Sequence, residues 1–321
     1  VFAVSWFPAD KRILYTYDGG GNELNHVFVR QLDGTTVDLT PGENLTAGFL
    51  AWANDGQSFY LISTERDEKN FDVYRYSTSD FSRELVFEND GFQVSAISDD
   101  GRWLALGKPR TSADSDIFVV DLQSDNPEPM LITSHMGNIS YGTFEFTRDN
   151  KSLVYATNEF GEFNQAWKYD LQSGESSVLV EAPWDVSYVT YSPSGRYRVT
   201  GVNADARTEV SLLDTGSGTA ISLPELPPGD LRNVRFSADE TQIALIVNAD
   251  DSPSNIHVID LAEGHTQQLT RALNPAIDQS HLVKSEVVRY KSFDGLEIPS
   301  ILYRPHGASA ENPVPALVLV H

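Results

Sequence analysis

The stretch Val94-Ser95-Ala96-Ile97-Ser98-Asp99-Asp100-Gly101-Arg102-Trp103-Leu104-Ala105-Leu106 sets an apolar segment, a polar turn and a second apolar run in sequence. Five further copies of this phrase occur along the chain. Each places a bulky apolar residue three positions before the centre of the turn: Phe7, Trp52, Ile97, Phe146, Tyr191 and Phe236. The central residues are Asp10, Asp55, Asp100, Asp149, Ser194 and Asp239, separated by 45, 45, 49, 45 and 45 positions. Asp, Asn, Ser, Pro and Gly suit such turns because they bond nearby backbone or tolerate unusual dihedrals. A period of about 40–50 residues built from strands is the mark of propeller blades.

One repeat contains four strands. After the turn at Asp100, Trp103 to Leu106 reads as a buried strand, Asp116 to Leu122 as a third and a segment ending in Met130-Leu131-Ile132-Thr133 as a fourth. The third-strand phrase returns at Val27-Phe28-Val29, Val73-Tyr74, Ala166-Trp167, Val210-Ser211-Leu212 and Ile256-His257-Val258. Fourth strands close on Leu39-Thr40 and again on Leu269-Thr270. Such a sheet cannot bury both faces alone, and radial stacking of neighbours does it. The fold class is therefore all-β, a β-propeller of four-stranded blades, six of them countable.

Composition agrees. At 321 residues and 40% hydrophobic, the chain can fill a sizeable core, and it carries no apolar run near the ~20 residues of a membrane helix. The opening Val1-Phe2-Ala3-Val4 reads as an inner strand rather than a leader. Zero cysteines exclude a disulfide framework and a thiolate metal site, and leave cytoplasm and periplasm both open for a soluble protein. With 46 acidic and 23 basic residues the net charge is −23, which opposes nucleic acid and anionic membrane as partners. The acids spread through turns and loops as a solubilising surface; with only seven lysines, adaptation to high salt is a second reading.

Individual motifs carry little chemistry. Gly19-Gly20-Gly21 lacks the Lys-Ser/Thr of a phosphate loop and reads as a strand connection. Asn44-Leu45-Thr46 and Asn138-Ile139-Ser140 match glycosylation acceptors, a frequent coincidence. The seven histidines have no paired helical spacing, and acidic loops such as 248–251 lack the alternation of a calcium site, so neither a metal nor another cofactor is expected. No Gly-x-Ser-x-Gly occurs, and Gly216-Ser217-Gly218 lies in a turn between strands.

The repeat stops after Leu269-Thr270. Residues 286–305 then read as a hairpin about Asp294-Gly295, and Pro315-Ala316-Leu317-Val318-Leu319-Val320-His321 as a short apolar strand of a buried sheet. The organisation expected is a propeller over 1–273, a linker over 274–285 and a second domain opening at 286–321.

The blade phrase, the Ser292-Phe293-Asp294-Gly295 hairpin and the apolar strand ending in His321 together resemble the prolyl oligopeptidase family of serine peptidases, and within it bacterial dipeptidyl-aminopeptidase and acylaminoacyl-peptidase-like members. The resemblance spans the chain. It implies a propeller followed by an α/β-hydrolase domain, in which His321 matches the first residue of the His-Gly-Gly-Pro oxyanion loop. The family's Ser, Asp and His triad would lie beyond it, so the chain is read as an internal piece of a longer enzyme, inactive alone. Because the family propeller usually has seven blades, a further blade is expected upstream. The implied partners are short peptide substrates and the missing hydrolase domain. Two alternatives stand beside this reading: an esterase on the same scaffold, and a non-enzymatic periplasmic interaction propeller of the Tol type.

Chain direction places the hydrolase segment on the rim where second strands turn into third strands. The polar segments there are 18–25, 64–70, 108–115, 158–164, 203–207 and 248–254, expected to be loops longer than the opposing Asp turns. Long loops on a rigid scaffold are where recognition resides, so the candidate substrate contacts are Glu23, Arg66, Arg110, Glu159, Glu162 and Arg207. Dipeptidyl peptidases of the family hold a substrate amine with a Glu pair; Glu159-Phe160-Gly161-Glu162 has two Glu residues, but not adjacent ones.

Overall fold

The computed structural model describes residues 1–205 and 207–319. Among them are six four-stranded antiparallel sheets, one two-stranded hairpin and a single 3-10 turn, Gln279–His281. Blade 1 comprises Phe2–Trp6, Ile13–Asp18, Asn25–Arg30 and Thr36–Asp38. Blade 2 comprises Ala47–Trp52, Ser58–Asp67, Asn70–Ser77 and Arg83–Phe87. Blade 3 comprises Gln93–Ile97, Trp103–Thr111, Asp114–Asp121 and Met130–Leu131. Blade 4 comprises Tyr141–Phe146, Ser152–Thr157, Gln165–Asp170 and Ser176–Val180. Blade 5 comprises Asp185–Tyr191, Tyr197–Ala204, Arg207–Asp214 and Thr219–Ile221. Blade 6 comprises Asp230–Phe236, Gln242–Ala249, Ser252–Asp260 and Thr266–Gln268. Two compact units result: 1–181 holds blades 1 to 4, and 182–321 holds blades 5 and 6 with the hairpin Ser285–Lys291/Glu297–Tyr303.

Alternation along the second strands explains the packing. In blade 3, Leu104 and Leu106 join a core with Tyr60, Val73 and Phe87 of blade 2, while Ala105 between them packs with Tyr141, Phe146 and Leu153 of blade 4. In blade 2, Phe59 and Leu61 turn to Leu14, Val27 and Val29 of blade 1, and Tyr60 turns to blade 3. Within 182–321, Tyr197, Val199 and Leu212 of blade 5 meet Ile243, Leu245 and Ile259 of blade 6. Burying each such side chain contributes roughly 1.5–3 kcal/mol, and period-two alternation shares it between two neighbours.

The repeated turn is held by its own side chain. Asp100 Oδ1 accepts from the Arg102 amide at 3.1 Å and the Ser98 hydroxyl at 2.6 Å, and Asp149 and Asp239 repeat the pattern with Lys151, Thr147, Thr241 and Ser237. The next residue is left-handed: Gly101 has φ +69°, and a Cβ there would also lie 2.1 Å from the Tyr60 hydroxyl. Just before each turn the first strand is bulged against the second, at positions such as 49/51, 94/96 and 143/145. Bulges add local twist, which suits innermost strands.

The Leu-Thr phrase closes the blade. Leu39 N–H donates to the Val27 carbonyl while Thr40 Oγ1 accepts from the Val27 amide at 3.0 Å. Ile132-Thr133 does the same to Ile117, and Leu269-Thr270 to Ile256. A hydroxyl thus replaces a carbonyl in the last rung, and the chain can leave the sheet without orphaning a buried amide.

Two expectations are corrected. Residues 313–319 form no strand, and Leu317, Val318 and Leu319 are exposed; a strand needs a partner ladder, and among the described residues none lies alongside. Val320 and His321 lie outside the described residues. The second-to-third connections are also shorter than expected. In blades 2, 3 and 6 the strands run through the polar segments and leave two-residue turns, at 68–69, 112–113 and 250–251, and in blade 5 the strands reach Ala204 and resume at Arg207. The ladder closes on Asp67 opposite Asn70 and on Thr111 opposite Asp114, with an irregular register at 64–66 and at Arg110 just before. Blades 1 and 4 carry longer loops, 19–24 and 158–164.

Replacing Thr133 by Val leaves the buried Ile117 amide without its acceptor. The expected cost is about 1–3 kcal/mol, read as a lower urea midpoint, whereas Thr133→Ser should restore most of it.

Candidate functional rim

In unit 182–321, the hairpin lies on the rim of the second-to-third turns. Asp250, in the turn of blade 6, accepts from the Ser285 amide at 3.0 Å, the Ser285 hydroxyl at 2.6 Å and the Tyr303 hydroxyl at 2.7 Å. Burial would raise its carboxyl pKa, but the hydrogen bonds from Ser285 and Tyr303 outweigh it and hold the pKa below the ordinary value. Asp205, in the turn of blade 5, pairs with Arg289, and Asp251 pairs with Lys284 at 3.6 Å. Arg207, Asp230, Asp250, Lys284 and Tyr303 contribute to the lining of a cavity of about 370 Å³ beneath the hairpin. The hairpin closes on Asp294, which accepts from the Leu296 amide at 3.1 Å, with Gly295 at φ +88°.

In unit 1–181 the second-to-third connections carry five of the expected contacts, and their surroundings differ. Arg66, at the end of a second strand, makes a bidentate pair with the fully buried Asp72 at 2.7 and 2.8 Å and donates to the Asn89 carbonyl at 2.7 Å. Asp72 keeps this guanidinium strongly protonated. Arg110 repeats the six-residue spacing onto Asp116. Glu159 accepts from the Tyr141 hydroxyl at 2.8 Å. Glu23, at φ +62°, and Glu162 are exposed and take no ion pair among the described residues. Arg207 is likewise exposed, in the other unit. Glu159 and Glu162 share one loop, and the other candidates sit on separate blades.

Beside Arg110 lies a cluster that sequence reasoning missed. The His135 side chain is 1% exposed, with Nε2 3.0 Å from Asp114 Oδ1 and Nδ1 2.8 Å from the Thr133 carbonyl. Both ring nitrogens face acceptors, which favours the imidazolium. Its pKa is raised, first by the Thr133 carbonyl and then by Asp114 and the charge of Asp116, against burial. The readable signal was Arg followed by Asp six positions later, present at both 66/72 and 110/116; nothing local marked His135.

Among the described residues no histidine hydrogen-bonds a serine or threonine hydroxyl, and no group of three His, Cys, Asp or Glu could hold a metal. The rim therefore offers charge and hydrogen-bonding groups for binding rather than a nucleophile with its base.

Two measurements test these contacts. With Asp250→Ala and Arg289→Ala combined, amide exchange over 285–303 should accelerate by about tenfold or more while blade amides keep their protection; unchanged exchange would show the hairpin is held otherwise. Because the Asp250 pKa is depressed, its contribution is present above about pH 4 and lost as pH falls through the lowered value. His135 has the opposite sign: its stabilisation is full below about pH 6.5 and fades as pH rises through its elevated pKa. His135→Asn should flatten that part of the stability–pH profile.

Comparison with known proteins adds the lineage. No curated protein matches the sequence. The profile described as prolyl oligopeptidase, N-terminal beta-propeller domain, matches residues 2–272. A puromycin-hydrolyzing peptidase of Mycobacterium tuberculosis superposes with a TM-score of 0.75 at 14% identity, covering 98% of this chain and 51% of that one. Prolyl oligopeptidase B of Galerina marginata gives 0.68 at 17% identity, with coverage of 96% and 47%. TolB of Acinetobacter baumannii gives 0.55 at 15% identity, with coverage of 81% and 64%. The chain spans about half the length of these two peptidases. No helix among the described residues is long and apolar enough to cross a membrane. With the blade repeat matched from end to end, the chain belongs to the prolyl oligopeptidase family through its N-terminal β-propeller domain.

Proposed function

We propose that this chain is the substrate-gating portion of a serine peptidase that hydrolyses short peptides through an acyl-enzyme. The observation that carries the reading is the family match over 2–272 followed directly by a hairpin seated on the second-to-third rim. In this reading the propeller spans 1–273, residues 274–285 link it onward, and 286–321 open an α/β-hydrolase domain on that rim. Serine would attack the peptide carbonyl, histidine would carry the proton, aspartate would orient the histidine, and backbone amides would hold the oxyanion. None of these groups is assigned within this chain.

The propeller's part is steric and electrostatic: it covers the reaction centre and admits flexible peptides. Peptide binding is supported by the Galerina enzyme, which has been captured with a 35mer hydrolysis and macrocyclization substrate. Of the six rim contacts proposed, Glu23, Glu162 and Arg207 keep exposed charges for a substrate, while Arg66, Arg110 and Glu159 act while tied to Asp72, Asp116 and Tyr141. A Tol-type interaction propeller is the second reading, favoured by the likeness to TolB.

A fluorophosphonate probe separates the parts of the proposal. It should not label this chain, and it should label one serine of a longer product of the same gene. In that longer protein, alanine at Glu162 or Arg207 should lower peptide kcat/KM by about three- to tenfold or more, and alanine at Asp55 or Asp100 should leave it unchanged. Equal effects on both rims would overturn the rim assignment. A product with no reactive serine would favour the interaction propeller.

A further inference from the structure

His257 lies in the third strand of blade 6, opposite Leu245 and Gln268. It is 5% exposed. Its neighbours on that face have their needs met: Ile259 is apolar and packed, and the Asn255 side chain donates to Ser252 and Pro253 and accepts from Thr270 and Ala272. The His257 ring takes no hydrogen bond among the described residues. An imidazole buried with neither nitrogen bonded costs free energy unless a solvent molecule or ligand can reach it. The His257 ring lines a cavity of about 420 Å³, within the range of small-ligand sites.

The cavity has a definite character. Arg271 is on its wall and has no ion pair among the described residues, and Lys284 and Asp251 face each other at 3.6 Å. Two cations against one carboxylate leave a positive balance, inside a chain whose net charge is −23. Pro227, Pro228 and Leu273 supply an apolar wall. His257 and Arg271 do not reach the cavity beneath the hairpin, which adjoins this one across the Lys284–Asp251 pair.

We propose that this cavity binds a small organic carboxylate, its anionic end on Arg271, Lys284 and the His257 ring and its aliphatic body on the two prolines. Burial lowers the His257 pKa, so the ring is neutral at pH 7 and offers one N–H to an anion. The guanidinium suits a planar carboxylate through paired donors. The prolines hold a short apolar body without losing side-chain freedom. The carboxylate could belong to a free acid or to the C-terminus of a peptide, and the reading does not depend on the peptidase assignment.

The test uses the chain as it stands, followed by carbon–proton correlation of its histidine rings, with His257→Gln to assign the resonance. Four probes are titrated: 3-methylbutanoate, acetyl-Ala-Ala, acetyl-Ala-Ala amide and inorganic phosphate. Saturable movement of the His257 ring with one or both carboxylates, at Kd of about 1 mM or tighter, and none with the amide, is the expected result. Response to 3-methylbutanoate alone identifies a free acid, and response to the peptide acid alone identifies a peptide terminus. Arg271→Gln, at an exposed position, should weaken binding about tenfold and leave the other resonances in place. No movement with either acid, equal movement with the amide, response to phosphate alone, or undiminished binding by Arg271→Gln would each overturn the proposal.

Discussion

A four-stranded sheet that is apolar on both faces has no stable existence alone, and this constraint governs the chain. In blade 3, Leu104, Ala105 and Leu106 are all fully buried, which a surface sheet would not permit, since alternate residues point to opposite sides. Blade 3 is accordingly covered twice, by blade 2 on one face and blade 4 on the other. The outer strand then becomes the weak point, because it presents an unpaired edge. Here the outer strands are two to five residues long, which limits edge-to-edge association. Their brevity in turn requires a way out of the ladder, and the Thr40, Thr133 and Thr270 hydroxyls provide it.

Packing confined to blade faces leaves the turns at both ends of the strands free of core duties. The first-to-second turns are held by self-bonding and by neighbours within each unit: Arg148 reaches Asp99 at 3.0 Å in 1–181, and Glu240 accepts from the Ser194 amide at 2.6 Å in 182–321. At the second-to-third connections, exposed charge remains at Glu23, Glu162 and Arg207. The asymmetry follows from geometry. The Asp turns need side-chain support, whereas Glu23 and Glu162 stand in the longer loops 19–24 and 158–164 and Arg207 at a strand end, where their charges take no ion pair among the described residues.

The architecture was legible because its determinants are local and periodic. The six turn centres, the third-strand phrases and the Leu-Thr endings are all adjacent-residue patterns, and each corresponds to a bond or a buried face. The lengths of the second-to-third turns were not legible, because Arg66, Arg110 and Arg207 look like loop residues while lying in paired strands. The segment 315–319 reads as a strand by composition, but strand formation depends on a neighbour that composition does not encode. His135 and His257 escaped for the same reason: one is defined by Asp114 and the other by an adjoining cavity, both distant in sequence or absent from it. The seating of the hairpin beside the turn of blade 6 could be read from chain direction, whereas which of the candidate charges were already paired could not.

The turn Asp250-Asp251 shows how few groups orient the chain as it leaves blade 6. Asp250 gathers Ser285 and Tyr303, one from each strand of the hairpin, while the Asp251 carboxylate meets Lys284 and its carbonyl accepts from Gln279 at 3.3 Å. Two consecutive carboxylates therefore hold the linker and both hairpin strands. Such contacts are directional and depend on ionisation, unlike the apolar blade faces, and exposed ion pairs contribute little in high salt. It follows that the blades and the hairpin respond to different variables. Temperature acts chiefly on the buried faces, whereas low pH and ionic strength act on the seating of the hairpin, so the junction can loosen on acidification while the His135 pair in blade 3, which weakens only as pH rises, is retained.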